Sequence, residues 1–398
     1  MMKKNLIVLL ACGIFLFSGN IFAQDTLKGY QFTPLKDIKT TSVKNQYRSG
    51  TCWSFSGTAF LESELLRMGK PEVNLSPMFI VRTAYADKSI RYVRFHGTDN
   101  FGSGGIFYDV LEMIKEHGIV PLDVYSGLNY GEDKPVLGEL DAVALAFVKA
   151  IVENPNRKLT PVWPAAFNGI LDAYLGKVPE KFEYNGKEYT PKSYFESLGL
   201  NLDDYVIITS FTHHPYYQKF VLEIPDNWEN SEVYNVPLND FEEIIDNAVD
   251  NGYPVAWASD VSERGFSWKN GVAIVPDVNY EETEGSDKEH WTQLSQKEKE
   301  NILYSFEKPV KEVVVTPEMR QQGFDNYQTT DDHGILICGK AKDQNGDIFY
   351  KVKNSWGTDA KYDGYFYASK PYVLLKTISI MVHKDAVPKK IAKQLGIK

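Results

Sequence analysis

The most informative segment of this 398-residue chain reads Val43-Lys44-Asn45-Gln46-Tyr47-Arg48-Ser49-Gly50-Thr51-Cys52-Trp53-Ser54-Phe55. From Thr51 onward, apolar residues recur at helical spacing as far as Met68, and a glycine and a proline then end the pattern. Cys52 is therefore predicted to open a helix. The partial positive charge and free N–H groups of a helix N-terminus favour a thiolate over a thiol, so we expect a lowered pKa for Cys52. Because the thiolate is the nucleophilic form, this position suits covalent catalysis.

Two later segments supply the other residue types that a catalytic cysteine needs. Asp332-His333-Gly334-Ile335 begins one predicted strand, and Lys353-Asn354-Ser355-Trp356-Gly357 ends the next. A hairpin between them would bring the Asn354 amide oxygen beside a ring N–H of His333, with Trp356 covering that hydrogen bond. Gln46 precedes Cys52 by six residues, close enough for its side-chain amide to bind an oxyanion together with the Cys52 backbone N–H.

In type, order and local spacing these residues resemble the papain-like cysteine peptidases. The resemblance implies that Cys52 is the nucleophile, His333 the general base and then acid, Asn354 the residue that orients the imidazole, and Gln46 an oxyanion donor. The chain departs from the family pattern at Ser49, which stands where a second cysteine is usual. A disulfide typical of extracellular members is therefore absent, while the catalytic residues are unaffected.

The spacing of the motifs indicates a branch of that family. Cys52 and His333 are 281 residues apart, whereas papain-type enzymes have about 130–150 between the two, so large insertions are expected. Only 22 residues separate Gln24 from Gln46, too few for an inhibitory propeptide domain. Both features resemble the bleomycin hydrolase/aminopeptidase C branch. That resemblance implies an aminopeptidase and a homo-hexamer, with the terminal carboxylate of Lys398 holding the substrate amine; a solvated terminal helix is the alternative for this basic tail.

The order of the predicted elements indicates an α+β fold, because helices dominate the first part of the chain and strands the last third. Helices are predicted over Thr51–Met68 and Ile106–His117, and strands over Gly334–Cys338, Ile348–Asn354 and Gly364–Ala368. The resemblance implies two lobes with large insertions. The expected bounds are about 41–126 for the helical lobe, about 237–279 and 332–387 for the β lobe, about 127–236 and 280–331 for the insertions, and 388–398 for the tail.

A short glycine-rich run, Gly102-Ser103-Gly104-Gly105, is similar to the wall along which papain-like enzymes bind extended peptides. The resemblance implies that Gly104 and Gly105 let a peptide backbone approach and pair as a strand, with Trp356 nearby. A plain turn before the following helix explains the run equally well.

The N-terminus carries the pattern of a secretory signal peptide over residues 1–23. Lys3 and Lys4 form its positive start, Leu6–Phe17 is an apolar run of 12 residues, and Ala23 ends a small-residue cleavage site. The apolar run is too short to span a bilayer. Export to a periplasm or the exterior is expected, with lipoprotein cleavage at Cys12 as the alternative.

Composition excludes several classes of function. A formal net charge of −10 argues against nucleic acid and anionic membranes as partners. Cys338 lies at an odd offset from His333 on one strand, so we expect a buried free thiol that does not bridge to Cys52. His213-His214 lacks a carboxylate or cysteine at ligand spacing, and we expect it at the surface; neither a metal site nor a cofactor is predicted.

The sequence therefore predicts an exported thiol peptidase acting on peptides, with aminopeptidase action of broad specificity. A papain-like endopeptidase, with a cleft open at both ends, is the first alternative. A catalytically silent surface or binding protein of the same fold is the second.

Overall fold

The computed structural model describes residues 28–279, 291 and 294–397. The predicted signal peptide, part of the second predicted insertion and Lys398 lie outside these residues. The helices are α1 Cys52–Arg67, α2 Pro77–Arg94, α3 Phe107–His117, α4 Gly138–Val152, α5 Trp163–Leu175, α6 Pro191–Leu198, α7 Leu238–Asp250, α8 Gln296–Leu303, α9 Pro317–Asp325, α10 Lys370–Lys376 and α11 Lys389–Leu395. The strands are β1 Thr33–Asp37, β2 Phe182–Tyr184, β3 Lys187–Tyr189, β4 Tyr205–Thr209, β5 Lys219–Val221, β6 Glu232–Asn235, β7 Val255–Ser259, β8 Phe266–Ser267, β9 Val272–Ala273, β10 His333–Lys342, β11 Ile348–Lys353, β12 Tyr365–Ser369 and β13 Thr377–His383.

This is the predicted α+β class, and the predicted elements appear as α1, α3, β10, β11 and β12. The main sheet of the described chain has the order β5-β6-β4-β13-β7-β10-β11-β12-β9-β8, and β1 also pairs with β10. Strand β10 lies near the centre: its first half pairs antiparallel with β7 and its second half with β1 and β11. The His333 end of β10 is therefore held by a neighbouring strand, with His333 opposite Ser259.

Helices cover both faces of the sheet. Helices α1 to α6 pack on one face, in a hydrophobic cluster that also includes Ala256, Ala258 and Leu336 from the strands. The other face buries Trp257, Ile335 and Ile337 against α7, α10 and α11. Neighbouring residues of β7 and β10 thus alternate between the two clusters, as the two-residue period of a strand requires.

Residues 127–236, expected as one insertion, divide into two parts. Helices α4, α5 and α6 add to the helical layer over the first face. Strands β4, β5 and β6 instead extend the main sheet, because β4 pairs with β13 and β6 with both β4 and β5. Sequence patterns alone do not reveal this, because the partner strand β13 lies about 170 residues further along the chain.

The C-terminal tail forms a packed helix. Ile391 and Leu395 of α11 are buried in the second cluster, and the Asn247 amide donates a 2.7 Å hydrogen bond to the Ala386 carbonyl just before it. Within the described ranges, no helix has the length and hydrophobicity that a bilayer span requires.

Candidate active site

The candidate site lies where the N-terminus of α1 meets the start of β10. Gly334 permits this approach, because a Cβ there would lie 2.7 Å from the Ser56 hydroxyl and 3.2 Å from the backbone nitrogen of Trp53. The backbone N–H of Gly334 donates toward the Cys52 sulfur. The small Gly334 therefore lets the start of α1, with Cys52, approach the start of β10, with His333. This role was not predicted from the sequence, where the only signal is that Gly334 directly follows His333.

Cys52 and His333 line one pocket of about 370 Å³. The same pocket is lined by the other residues predicted for the site, Gln46, Gly104, Gly105 and Trp356. The sequence motifs, which lie up to 310 residues apart, therefore converge on one cleft between the helical layer and the sheet.

Asn354 fixes which nitrogen of His333 carries a proton. The His333 Nε2 atom lies 2.7 Å from Asn354 Oδ1, and the same oxygen accepts a 2.8 Å hydrogen bond from the Ser355 backbone N–H. Because Oδ1 is an acceptor, Nε2 must donate, which leaves Nδ1 with the lone pair of a base. Trp356 stacks on the imidazole with ring centroids 4.6 Å apart and an angle of 29° between the planes.

Gln46 is held by the same segment. Its Oε1 accepts a 2.6 Å hydrogen bond from the Ser355 hydroxyl, and its Nε2 donates to the Ser49 carbonyl at 2.8 Å. The amide nitrogen has two hydrogens, so one remains for a ligand in the pocket. Ser355, which the sequence analysis did not single out, therefore orients both Asn354 and Gln46.

Burial keeps the sulfur–imidazole pair neutral. Desolvation raises the pKa of Cys52 to about 12, with smaller increases from the charges of Asp331 and Asp226. Desolvation also lowers the pKa of His333 to about 4, against a weaker opposing effect of Asn354. The expected lowering of the Cys52 pKa is thus wrong, because burial and nearby carboxylates outweigh the effect of the helix N-terminus on which that expectation was based.

The glycine run is supported from behind by the protein. The ammonium of Lys88 donates to the carbonyls of Gly102 and Gly104, and the Trp53 indole N–H donates to the Ser103 carbonyl at 2.9 Å. A Cβ at Gly104 would collide with the Asp226 carboxylate. Position 104 must therefore be glycine to leave space for the Asp226 side chain. The sequence had instead suggested that this glycine leaves space for the backbone of a bound peptide.

Comparison with known proteins agrees with this geometry. The sequence model of the papain family of cysteine proteases matches residues 32–139, and that of the Peptidase C1-like family matches residues 302–397. The first range contains Gln46 and Cys52, and the second contains His333 and Asn354. The chain belongs to the papain-like cysteine peptidases.

Relatives of this peptidase resemble it along most of its length. Aminopeptidase C of Streptococcus thermophilus is 24% identical, over 88% of this chain and 82% of the relative. Aminopeptidase G of Lactobacillus delbrueckii subsp. lactis is also 24% identical, over 89% and 83%. The crystal structure of PepW from Lactobacillus rhamnosis has the same fold, with a TM-score of 0.68 and 19% identity over 92% of this chain and 84% of that one. The peptidase falls in the bleomycin hydrolase/aminopeptidase C branch.

Cys52 and Cys338 are both free, and Cys338 is buried, as predicted. The register of β10 shifts between Ile337 and Gly339, so burial rather than strict alternation separates Cys338 from the pocket. His213 is exposed and His214 partly exposed, in agreement with the surface position expected from a sequence with no carboxylate at ligand spacing. The structure adds a partner from outside such spacing: the Nε2 atom of each histidine lies 2.9 Å from an oxygen of Glu223, a grouping able to hold a metal ion. The chain reverses between His214 and β5, so that Glu223, just after β5, returns to the two histidines. This separation in sequence is not one that known metal-ligand motifs have.

The C-terminal tail contributes no described residue to the pocket. Lys398, the predicted amine anchor, lies outside the described residues. The helix before it is docked on the opposite face of the sheet from α1, through Ile391 and Leu395.

The two free thiols allow a matched test of the site. An epoxide inhibitor directed at thiols is expected to modify Cys52 in the wild type and in Cys338→Ala, because the Cys338 side chain is inaccessible. Cys52→Ala is expected to remain unlabelled and to lose at least about a thousandfold in kcat against peptides. Peptide mapping by mass spectrometry locates the label. Labelling of Cys338, or activity that survives Cys52→Ala, would contradict this assignment.

Proposed function

We propose that the protein is an exported cysteine aminopeptidase of broad side-chain specificity, acting through Cys52, His333, Asn354 and Gln46. The observation that carries the proposal is the shared pocket of Cys52 and an imidazole whose Nε2–H is committed to Asn354. A base with one fixed tautomer and a nucleophile beside it are the parts that acyl transfer needs.

The first half-reaction starts from the neutral pair. As the Cys52 sulfur attacks the scissile carbonyl carbon, its proton moves to Nδ1 of His333, so the imidazole becomes positive while the carbonyl oxygen becomes negative. Because bond formation and proton transfer occur together, neither an isolated thiolate nor an isolated imidazolium has to form first, and burial makes each of these costly. The Cys52 backbone N–H and the second Nε2 hydrogen of Gln46 are available to the carbonyl oxygen as it becomes negative.

Breakdown of this intermediate releases the first product. The carbon–nitrogen bond breaks, and His333 gives the proton from Nδ1 to the leaving amine, which yields a thioester on Cys52. Water then attacks the thioester while His333 accepts its proton, and the acid product leaves with the thiol restored. Trp356 covers one face of the imidazole throughout and limits its contact with water.

Aminopeptidase action is favoured over endopeptidase action by the position of Asp226. Its carboxylate lies against Gly104, on the wall along which an extended acyl-side peptide would pair. Residues before the scissile bond would have to displace this carboxylate, so the cleft accommodates a short acyl part. The relatives named aminopeptidase C and G support the same choice. A hexameric assembly stays a prediction from the family resemblance.

Blocking the substrate amine tests the choice between the two activities. A dipeptide-like substrate, alanyl-7-amido-4-methylcoumarin, is expected to be cleaved with a kcat/KM at least about a hundredfold above that of its N-acetyl derivative. An internally quenched peptide with blocked ends is the matched endopeptidase substrate. Equal cleavage of the acetylated compound, or rapid cutting of the blocked peptide, would establish the endopeptidase instead.

The proposal of export rests on the sequence of residues 1–23. The expected mature protein begins at Gln24, because cleavage follows Ala23. N-terminal sequencing of protein recovered from a periplasmic or culture fraction measures this directly, with a Lys3→Glu/Lys4→Glu variant as control for the positive start. Recovery of the intact leader in the cytoplasm would refute export, and acylated Cys12 at the new terminus would identify a lipoprotein.

A further inference from the structure

Three carboxylates line the catalytic pocket: Asp226, Asp331 and Asp332. The described lining contains neither lysine nor arginine, and its one basic side chain, His333, is neutral. When ionised, these carboxylates oppose a thiolate on Cys52, and burial in turn raises the pKa of both Asp331 and Asp226. Because these carboxylates oppose the nucleophile, they must have a role other than the activation of Cys52.

Asp332 has a structural use. It accepts hydrogen bonds from the backbone N–H groups of Val261 at 2.9 Å and Ser262 at 3.2 Å, and from the Ser262 hydroxyl. On the other side of Asp331, the Thr330 N–H donates to Asp260 at 2.8 Å. Both neighbours of Asp331 are thus tied to one loop, so the position of Asp331 in the pocket is fixed.

Asp331 itself has no such use. Among the described residues, no group donates a hydrogen bond to its carboxylate or forms an ion pair with it, although burial and the charges of Asp226, Asp332 and Asp109 raise its pKa well above the usual range. Ionising an unpaired, half-buried carboxyl group beside other carboxylates is costly. A positively charged ligand would relieve that cost.

Asp226 faces the same space from the helical side. Its loop is held rigidly, because the buried Asn227 amide donates to the carbonyls of Leu222 at 2.8 Å and Ser231 at 3.0 Å. Asn100 donates to Asp226 at 3.2 Å, and burial raises the pKa of Asp226 while the charge of Lys88 lowers it. Lys88 directs its hydrogen bonds to the carbonyls of the glycine run, while its charge acts on the nearby Asp226 carboxylate.

We propose that Asp331 and Asp226 together bind the α-ammonium group of the substrate. This inference rests on the proposed aminopeptidase function and names the residues that select a free N-terminus. The α-nitrogen lies two bonds from the scissile carbonyl carbon, so its carboxylate partners must lie within about 9 Å of the attacking sulfur. Asp331 and Asp226 are both close enough to Cys52 for their charges to act on its thiol.

The ammonium would lie in the pocket between Asp226, on the helical side, and Asp331, on the side of the sheet. It can donate three hydrogen bonds, as a lysine ammonium does, which suits carboxylates on opposite sides. Asp226 also limits the acyl part to a short segment, so one residue supplies both a steric stop and a charge. Among the described residues of the C-terminal tail, none lines the pocket.

Asp331→Asn and Asp226→Asn test the proposal, with Asp332→Asn as the matched removal of one nearby carboxylate charge. Alanyl-7-amido-4-methylcoumarin and its N-acetyl derivative are compared for each variant, and Cys52 alkylation by iodoacetamide reports whether the catalytic pair is intact. We expect Asp331→Asn and Asp226→Asn to lower kcat/KM for the free amine about 10–100-fold, mainly through KM, and to leave the acetylated substrate within threefold. Asp332→Asn is expected to preserve most of the selectivity between the two substrates.

The outcomes separate this inference from the proposed function. If the wild type prefers the free amine and both Asn variants keep that preference, the anchor lies elsewhere while the aminopeptidase stands. If the variants lose activity on both substrates equally, Asp331 and Asp226 serve the catalytic pair rather than the amine, which also overturns the proposal. If the wild type itself ignores acetylation, the proposed function fails. Should Asp226→Asn not fold, Asp331→Asn decides alone, because its carboxylate has no hydrogen-bond partner to lose.

Discussion

The close contact between the N-terminus of α1 and the start of β10 is the constraint on which the pocket depends. Gly334 permits it, since any larger residue would strike Trp53 and Ser56. The contact joins a helix of the first hydrophobic cluster to a central strand whose other face belongs to the second. The packing of both clusters therefore fixes where Cys52 and His333 meet, and Ser355, just after β11, then orients Asn354 and Gln46.

The charges around this contact differ from those expected of an isolated thiolate–imidazolium pair. Burial favours neutral Cys52 and neutral His333, and Asp331 and Asp226 make the thiolate still less favourable. A substrate that brings its own positive charge changes this balance, because an ammonium between the carboxylates cancels their effect on the sulfur. Binding of the correct substrate would thus also improve the nucleophile, which links selection of a free N-terminus to the rate of attack.

The sequence predicted the residues that carry local signals. Cys52 was recognisable from the helix that follows it, and His333 and Asn354 from strand ends with a short separation. Ser355, Gly334 and Asp226 were not, because their roles depend on contacts across long stretches: Ser355 with Gln46, Gly334 with Trp53, and Asp226 with Gly104. The pairing of β4 with β13 and the docking of α11 escaped prediction for the same reason, since strand and helix patterns show which face is apolar but not which partner covers it.

Transfer of the Cys52 proton to His333 can be followed through the alkylation rate of Cys52. The rate with iodoacetamide is measured from pH 3 to 9 in Cys338→Ala and in the same background with His333→Ala. With His333 present, we expect a rate at least about a hundredfold higher at pH 5–8. The rate should fall as the pH drops below the His333 pKa of about 4, because the imidazole then takes a proton from solvent. Equal rates in the two proteins, rising together as for an ordinary thiol, would contradict this proton transfer.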